Sequence, residues 1–255
     1  MTSWTVTAGM GAWRGSQRVS RRVKGAAHVA ALLALGPGFA WADPAAREAT
    51  QLVEQATFAI ENFAADPSLT AFRKLVPRAK GVFVAPQLVR AALVVGASGG
   101  RGVLVVRDEK NGEWQGPAFY TLGGVSVGLQ IGAEASEVVV LAMTERGVTA
   151  MLKPSVKIGA DVHLAVGPVG AGVEGATQNL SADLIAFSRS KGLYGGVSLQ
   201  GAVLAVRTDW NQAYYGKPVS PTDILIRGDS ANLQAERLLA AVREVVRGST
   251  VAGES

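Results

Sequence analysis

At Gly81 the spacing of apolar residues changes from helical to alternating, and it stays alternating for most of the chain. That switch limits the fold more than any other feature. Before it, residues 44–64 read "PAAREATQLVEQATFAIENFA" and place Leu52, Val53, Ala56, Ala59, Ile60 and Phe63 at helical intervals. Asp43-Pro44 suits a helix start and Asp66-Pro67 an end, and a second short helix is expected over 68–76. After it, "GVFVA", "RAALVVG", "GVLVVR", "YTLGGVSVGLQIG" and "EVVVLAM" read as strands, interrupted by a short helix at "TERGVTAML". Strand text resumes in "VKIGADVHLAVG", "GAGVEGAT", "ADLIAFSRS" and "GGVSLQGAVLAVR". "WNQAYYG" and "SPTDIL" read as helical turns. A last helix is expected at about 230–247, with Ser230 as its cap, Gly248 as its end, and Leu233, Leu238, Leu239, Val242, Val245 and Val246 on one side. The 31 glycines favour bulges and tight turns over a helical bundle. The expected fold is therefore α+β: a twisted antiparallel, partly barrel-like sheet flanked by N-terminal and C-terminal helices. "LGGVSVGLQIGA" (122–133) echoes "YGGVSLQGAVLA" (194–205), but no fixed period extends the likeness, so residues 43–255 are taken as one domain.

The net charge of +5 belongs to one end. Arg14, Arg18, Arg21, Arg22 and Lys24 lie in the first 42 residues, which hold no acid; from Asp43 onward the basic and acidic residues balance. A high isoelectric point confined to a leader gives no reason to expect nucleic acid as a partner. The leader itself reads as a secretory signal. The basic "RVSRRVK" precedes the apolar "GAAHVAALLAL", which is too short to span a bilayer, and Ala40-Trp41-Ala42 precedes Asp43 as a cleavage frame. The expectation is export across the inner membrane to the periplasm, with residues 1–42 as signal peptide. Cysteine is absent, so the sequence offers no disulfide, thiol nucleophile, lipidated cysteine or cysteine-built zinc site. With His163 the one histidine left after Ala42, no metal or other cofactor is expected.

Three stretches invite chemistry. "GASGGRGVLVVRD" (96–108) has the glycines of a phosphate cradle, but strand text follows where a cradle needs a helix start. It is expected to be a hairpin turn with Arg101 at its tip. Gly124-Val125-Ser126-Val127-Gly128 matches the nucleophile elbow of α/β-hydrolases, and His163 follows in the right order. That elbow also needs a strand turning into a helix, whereas "LQIGAEASEVVVL" looks extended. A serine hydrolase using Ser126 and His163 stands as the alternative to a non-catalytic protein. Third, Arg73, Lys74, Arg78, Lys80, Arg90 and Arg101 follow one another with no acid between them, interleaved with apolar residues including Leu88. Such a mixture suits an interface with anionic lipid.

The order of motifs resembles the SYLF-domain family across residues 76–225. The matching pieces are "VPRAKGVFV", "GGRGVLVVRD", "GEWQGPAFY", "GGVSVGLQIGAE", "GPVGAG", "SRSKGLYGGVSLQG" and "NQAYYGKPVSPTDIL". "APQLVRAAL" (85–93) departs from the family in lacking a lysine-glycine pair, and Gln200 stands where an acid is common. The resemblance implies a lipid-binding domain without catalysis; eukaryotic members bind phosphoinositide, and some bind actin. For an exported member the implied partner is an anionic phospholipid or another envelope lipid at a membrane surface. The lipid-contacting residues are then expected to be Arg73, Lys74, Arg78, Lys80, Leu88, Arg90 and Arg101. A structural envelope module that binds other proteins is the third reading.

Overall fold

A computed structural model describes residues 43–92, 95–127, 132–167, 181–190, 193–195 and 199–251. The expected signal peptide and the strand expected at 170–177 lie outside them.

Helix α1 (Pro44–Ala65) begins where Asp43 Oδ1 accepts a hydrogen bond from the Ala45 N–H at 2.9 Å, with Pro44 in the first turn, where its missing N–H costs nothing. All six apolar residues that set its spacing are buried. Helix α2 (Thr70–Leu75) runs into a 3₁₀ turn over Val76–Arg78. Four long strands follow: β1 (Gly81–Ala92), β2 (Val95–Arg107), β3 (Trp114–Val127) and β4 (Gly132–Ala142). Helix α3 (Glu145–Met151) starts at Thr144, whose hydroxyl accepts from the Gly147 N–H. Short strands β5 (Ser155–Lys157), β6 (Leu164–Val166), β7 (Leu184–Ser190), β8 (Leu193–Gly195) and β9 (Val203–Val206) lead to helix α4 (Thr208–Tyr215). A π-helical turn over Asp223–Arg227 and helix α5 (Glu236–Val251) complete the order.

The strands form one curled half-barrel sheet in the order β5-β9-β3-β2-β1-β4-β7-β6, with β8 beside β7. Every pairing is antiparallel except β6 with β7. Each face of the sheet carries its own core. On the helix side, α1, α2, α4 and α5 cover Val82, Val84, Val103, Val105, Phe119, Val139, Leu141 and Phe187. On the other side, α3 and the turn holding Ile224 and Leu225 cover Phe83, Leu104, Val106, Tyr120, Val138 and Val140.

Strand β1 is central, and both its ladders slip at the same place, between Val84 and Gln87 towards β2 and between Ala85 and Leu88 towards β4. Pro86 is the extra residue. A proline has no N–H to give a ladder, so a bulge is where a central strand tolerates one.

Two expectations about the chain's local structure are corrected. "GASGGRG" is not a hairpin turn: residues 96–102 lie inside β2, paired with β1 on one side and β3 on the other. Gly100 and Gly102 there serve close approach rather than positive φ. A Cβ at Gly102 would stand 2.7 Å from Phe83 Cε2 and 2.7 Å from the Val84 carbonyl oxygen, and one at Gly100 would stand 3.2 Å from Leu88 Cα. The last helix is also displaced. Asn232, not Ser230, caps the turn that leads into it, Leu233 is 90% exposed, and the helix runs past Gly248 to Val251.

Candidate functional site

The six cations do not form one face. Arg73 donates to the carbonyl oxygens of Asp66 and, at 3.0 Å, Pro67, closing the end of α1. Lys80 pairs with Glu109 and with Glu145, and the hydrogen bonds it donates to those carboxylates raise its pKa. Lys74 and Arg78 are exposed on the segment before β1. Arg101 lies opposite Gln87 in the register. Seven residues of strand, about 20 Å, therefore separate Lys80 from the level of Arg101. Arg90 pairs in register with Ser98 and Glu134 on the face away from the helices. Leu88, expected at the lipid surface, is 1% exposed and belongs to the second core. The bulge at Pro86 turns it there: Val82 and Val84 face the helices, and beyond Pro86 that side is taken by Gln87, Val89 and Ala91.

What the distal half of the sheet does present is an uncharged, exposed surface on the helix side. Across β3, β2, β1 and β4 the register aligns Gly123, Gly99, Val89 and Ala135 in one row. The next row is Val125, Ala97, Ala91 and Ala133. Six of the eight carry an apolar side chain, and all six are exposed, Val89 at 44% and Val125 at 78%. These positions lie where a core row would be, but none of the described helices covers them.

Between this surface and the exposed flank of α1 lies a recess of about 220 Å³ lined by Glu48, Gln51, Gln55, Gln87, Arg101 and Trp210, with Gly99 and Val89 continuing into the apolar rows. A second, more open groove shares Gln55 and Gln87 with it and runs on past Phe58 and Pro86 to the Arg189–Glu137 pair. Arg101 reaches Glu48 Oε2 at 2.7 Å, and its guanidinium lies 4.9 Å from the centre of the Trp210 ring. Arg207 lies 4.7 Å from the same ring and makes two bonds to Asp209, at 2.9 and 2.7 Å. The Arg207 guanidinium holds the Asp209 carboxyl below the usual carboxylate range. The sequence reading singled out Arg101 but missed Glu48 and Trp210, which lie 53 residues before and 109 after it. No local spacing links the three.

The hydrolase constellation is not assembled. β3 stays paired through Ser126, opposite Gly96, to Val127, and the chain re-enters as strand β4 at Gly132. His163 is exposed beside β6, five strand positions from β3 in the sheet order, and its backbone N–H donates to Asp183 Oδ2 at 3.2 Å. A nucleophile elbow turns from strand straight into helix, whereas the described residues before and after this stretch, up to Val127 and from Gly132, are both strand. Among the described residues no group of three or more His, Cys, Asp or Glu is placed to hold a metal ion. No described helix is long and apolar enough to cross a membrane.

Comparison with known proteins places this architecture. A family model described as "Ysc84: Las17-binding protein actin regulator" matches residues 123–245, from the end of β3 to α5. The chain carries a Ysc84 (SYLF) domain. SH3 domain-containing YSC84-like protein 1 of Pongo abelii is 34% identical over 167 residues, 64% of this chain and 48% of that protein. The Homo sapiens protein of that name is 32% identical over 166 residues with the same coverage. Protein YSC84 of Saccharomyces cerevisiae is 31% identical over 159 residues, 60% of this chain and 33% of its own length. The chain thus spans about half the length, or less, of the curated relatives it matches. The Ysc84 model starts at Gly123, so of the two apolar rows only the β3 and β4 positions fall inside it.

Proposed function

We propose that this Ysc84 domain is a non-catalytic, exported module that docks on anionic lipid, and that it does so through the distal helix-side face of its sheet. The exposed rows of Val89, Ala135, Val125, Ala97, Ala91 and Ala133 carry this reading. Four strands at about 4.8 Å and two rows at about 6.8 Å give a patch of roughly 250 Å². A stable dimer buries about 800 Å² on each partner, so the patch is too small to hold a second copy. A bilayer demands no matching patch of fixed size, and small side chains over glycine let a flat surface approach closely. Arg101 borders the patch, and Lys74 and Arg78 remain as exposed cations elsewhere. The basic run thus contributes through Arg101 at the patch and through general attraction, not as one continuous face.

The description of the family as Las17-binding and actin-regulating favours a second reading, a protein-interaction module. Vesicle flotation separates the two. The full chain is expected to float with phosphatidylglycerol-containing vesicles, less so as salt rises. Val89→Asp and Val125→Asp are each expected to weaken flotation at high salt as well, since they place a charge where chains must lie. Binding that those substitutions leave unchanged would move lipid contact away from this face. A chain that floats with no vesicle would leave the protein-interaction reading.

A further inference from the structure

We infer that the recess between α1 and the β1–β2 pair is a binding site for the phosphate of a lipid head group, and that Glu48 now holds the phosphate's place on Arg101. The inference rests on the lipid-docking reading and names the head-group contact within it.

The recess adjoins the apolar rows directly, because Val89 and Gly99 line both. A head group seated in it would leave its chains over Val89, Ala91 and Ala97. At about 220 Å³ the recess has the volume of about seven waters, room for a phosphodiester and its ester carbons. Its lining supplies the chemistry a phosphate needs. Arg101 offers a guanidinium fork whose position Trp210 fixes from beneath, and the exposed amides of Gln51, Gln55 and Gln87 can each donate two N–H groups. At Gly99 a side chain would meet nothing within 4 Å, so this strand leaves the mouth open.

Glu48 is the acid among the lining residues, and it is bonded to the lining cation. Both partners are about half exposed, and an ion pair of that kind is weak and salt-screened. A phosphate offers the fork the same charge with more acceptor oxygens, so exchange leaves Arg101 paired throughout. Glu48 thereby acts as a built-in competitor: a neutral or absent head group leaves the clasp closed, and an anionic one opens it.

The test is co-sedimentation of the full chain with phosphatidylcholine vesicles containing phosphatidylglycerol, at low salt. Glu48→Gln is expected to raise the partition coefficient about fivefold and Arg101→Gln to lower it about fivefold, the fold-change of one charge contact. The double variant is expected to bind like Arg101→Gln alone. Glu54→Gln, the same charge change elsewhere on α1, is the control and is expected to have under half that effect in logarithmic terms. Equal gains from Glu48→Gln and Glu54→Gln, or a gain from Glu48→Gln that survives Arg101→Gln, would overturn the clasp. Saturation of the Glu48→Gln recess by inorganic phosphate with no loss of vesicle binding would assign it to a soluble anion and overturn the lipid assignment. Failure of the wild-type chain to sediment with any vesicle would instead refute the docking reading on which the clasp rests. Thermal melts within about 3 °C of wild type confirm that the variants are folded.

Discussion

Gly102 and Gly99 sit three residues apart on β2 with opposite surroundings, and replacing each by alanine isolates what packing demands of this strand. At Gly102 the new methyl would stand 2.7 Å from Phe83 Cε2, closer still to Cζ of the same ring, and 2.7 Å from the Val84 carbonyl oxygen. Phe83 cannot swing aside freely. It is 1% exposed and meets Tyr120 edge to face at 6.3 Å, and the Tyr120 hydroxyl is itself tied to the Met151 carbonyl oxygen at 2.9 Å. Backbone and ring must both shift, which is overpacking, at a cost of about 1–3 kcal/mol. For a domain of this size that lowers Tm by about 3–10 °C. At Gly99 a Cβ meets nothing within 4 Å, and a strand gains slightly when alanine replaces glycine. Gly99→Ala is expected within about 0.5 kcal/mol of wild type. Urea unfolding followed by tryptophan fluorescence reads both, because Trp114 and Trp210 are buried. A Gly102→Ala variant as stable as wild type, or a Gly99→Ala variant equally destabilised, would refute the reasoning that β1 lies closely over Gly102.

The alkaline limb of stability offers a second check. Burial raises the pKa of Tyr120, Tyr214 and Tyr215, with the neighbouring Tyr214 charge adding to the rise at Tyr215. The unfolded chain sheds these protons near pH 10 while the folded one keeps them, so their contribution is whole below pH 10 and is lost as pH rises further. Between pH 9 and 11 each tyrosine takes away about 1.4 kcal/mol, about 4 for the three together, measured by urea midpoints over that interval. The Tyr214 hydroxyl is buried without a hydrogen-bond partner among the described residues, so Tyr214→Phe is expected to be at least as stable as wild type at pH 7 and to reduce that fall by about a third. Leu88→Ala is expected to cost about 2–5 kcal/mol in the same urea assay; a variant that keeps its stability but loses vesicle binding would return Leu88 to the surface.

Local chemistry made much of the fold legible. The α1 stripe, the Asp43-Pro44 start and the β-branched runs each depend on residues near one another, and the structure has them where their spacing implies. What could not be read depends on distant partners. The parity that turns Val82 and Val84 to the helices breaks at Pro86, so Leu88 falls inside and Val89 outside, and composition alone does not mark the break. Glycines in 96–102 looked like turn residues because φ freedom is their commonest use, yet the space vacated at Gly102 is taken by Phe83 and that at Gly100 by Leu88. The acid-free basic run looked unneutralised because Glu109 and Glu145, which hold Lys80, and Glu48, which holds Arg101, come from outside it. The apolar face itself could be recognised only once four strands were in register.

The bulge at Pro86 has a mechanical consequence. It interrupts both ladders of the central strand at one level, so the sheet is creased across its middle strand at that level. On one side of the crease two cores clamp the strands; on the other the described helices leave the helix-side surface bare. The second core runs on past the crease through Leu88 and Leu122, so the bare plate is braced from behind by packed side chains. Pro86 itself gives up no ladder bond at the crease, since its nitrogen has no hydrogen to give.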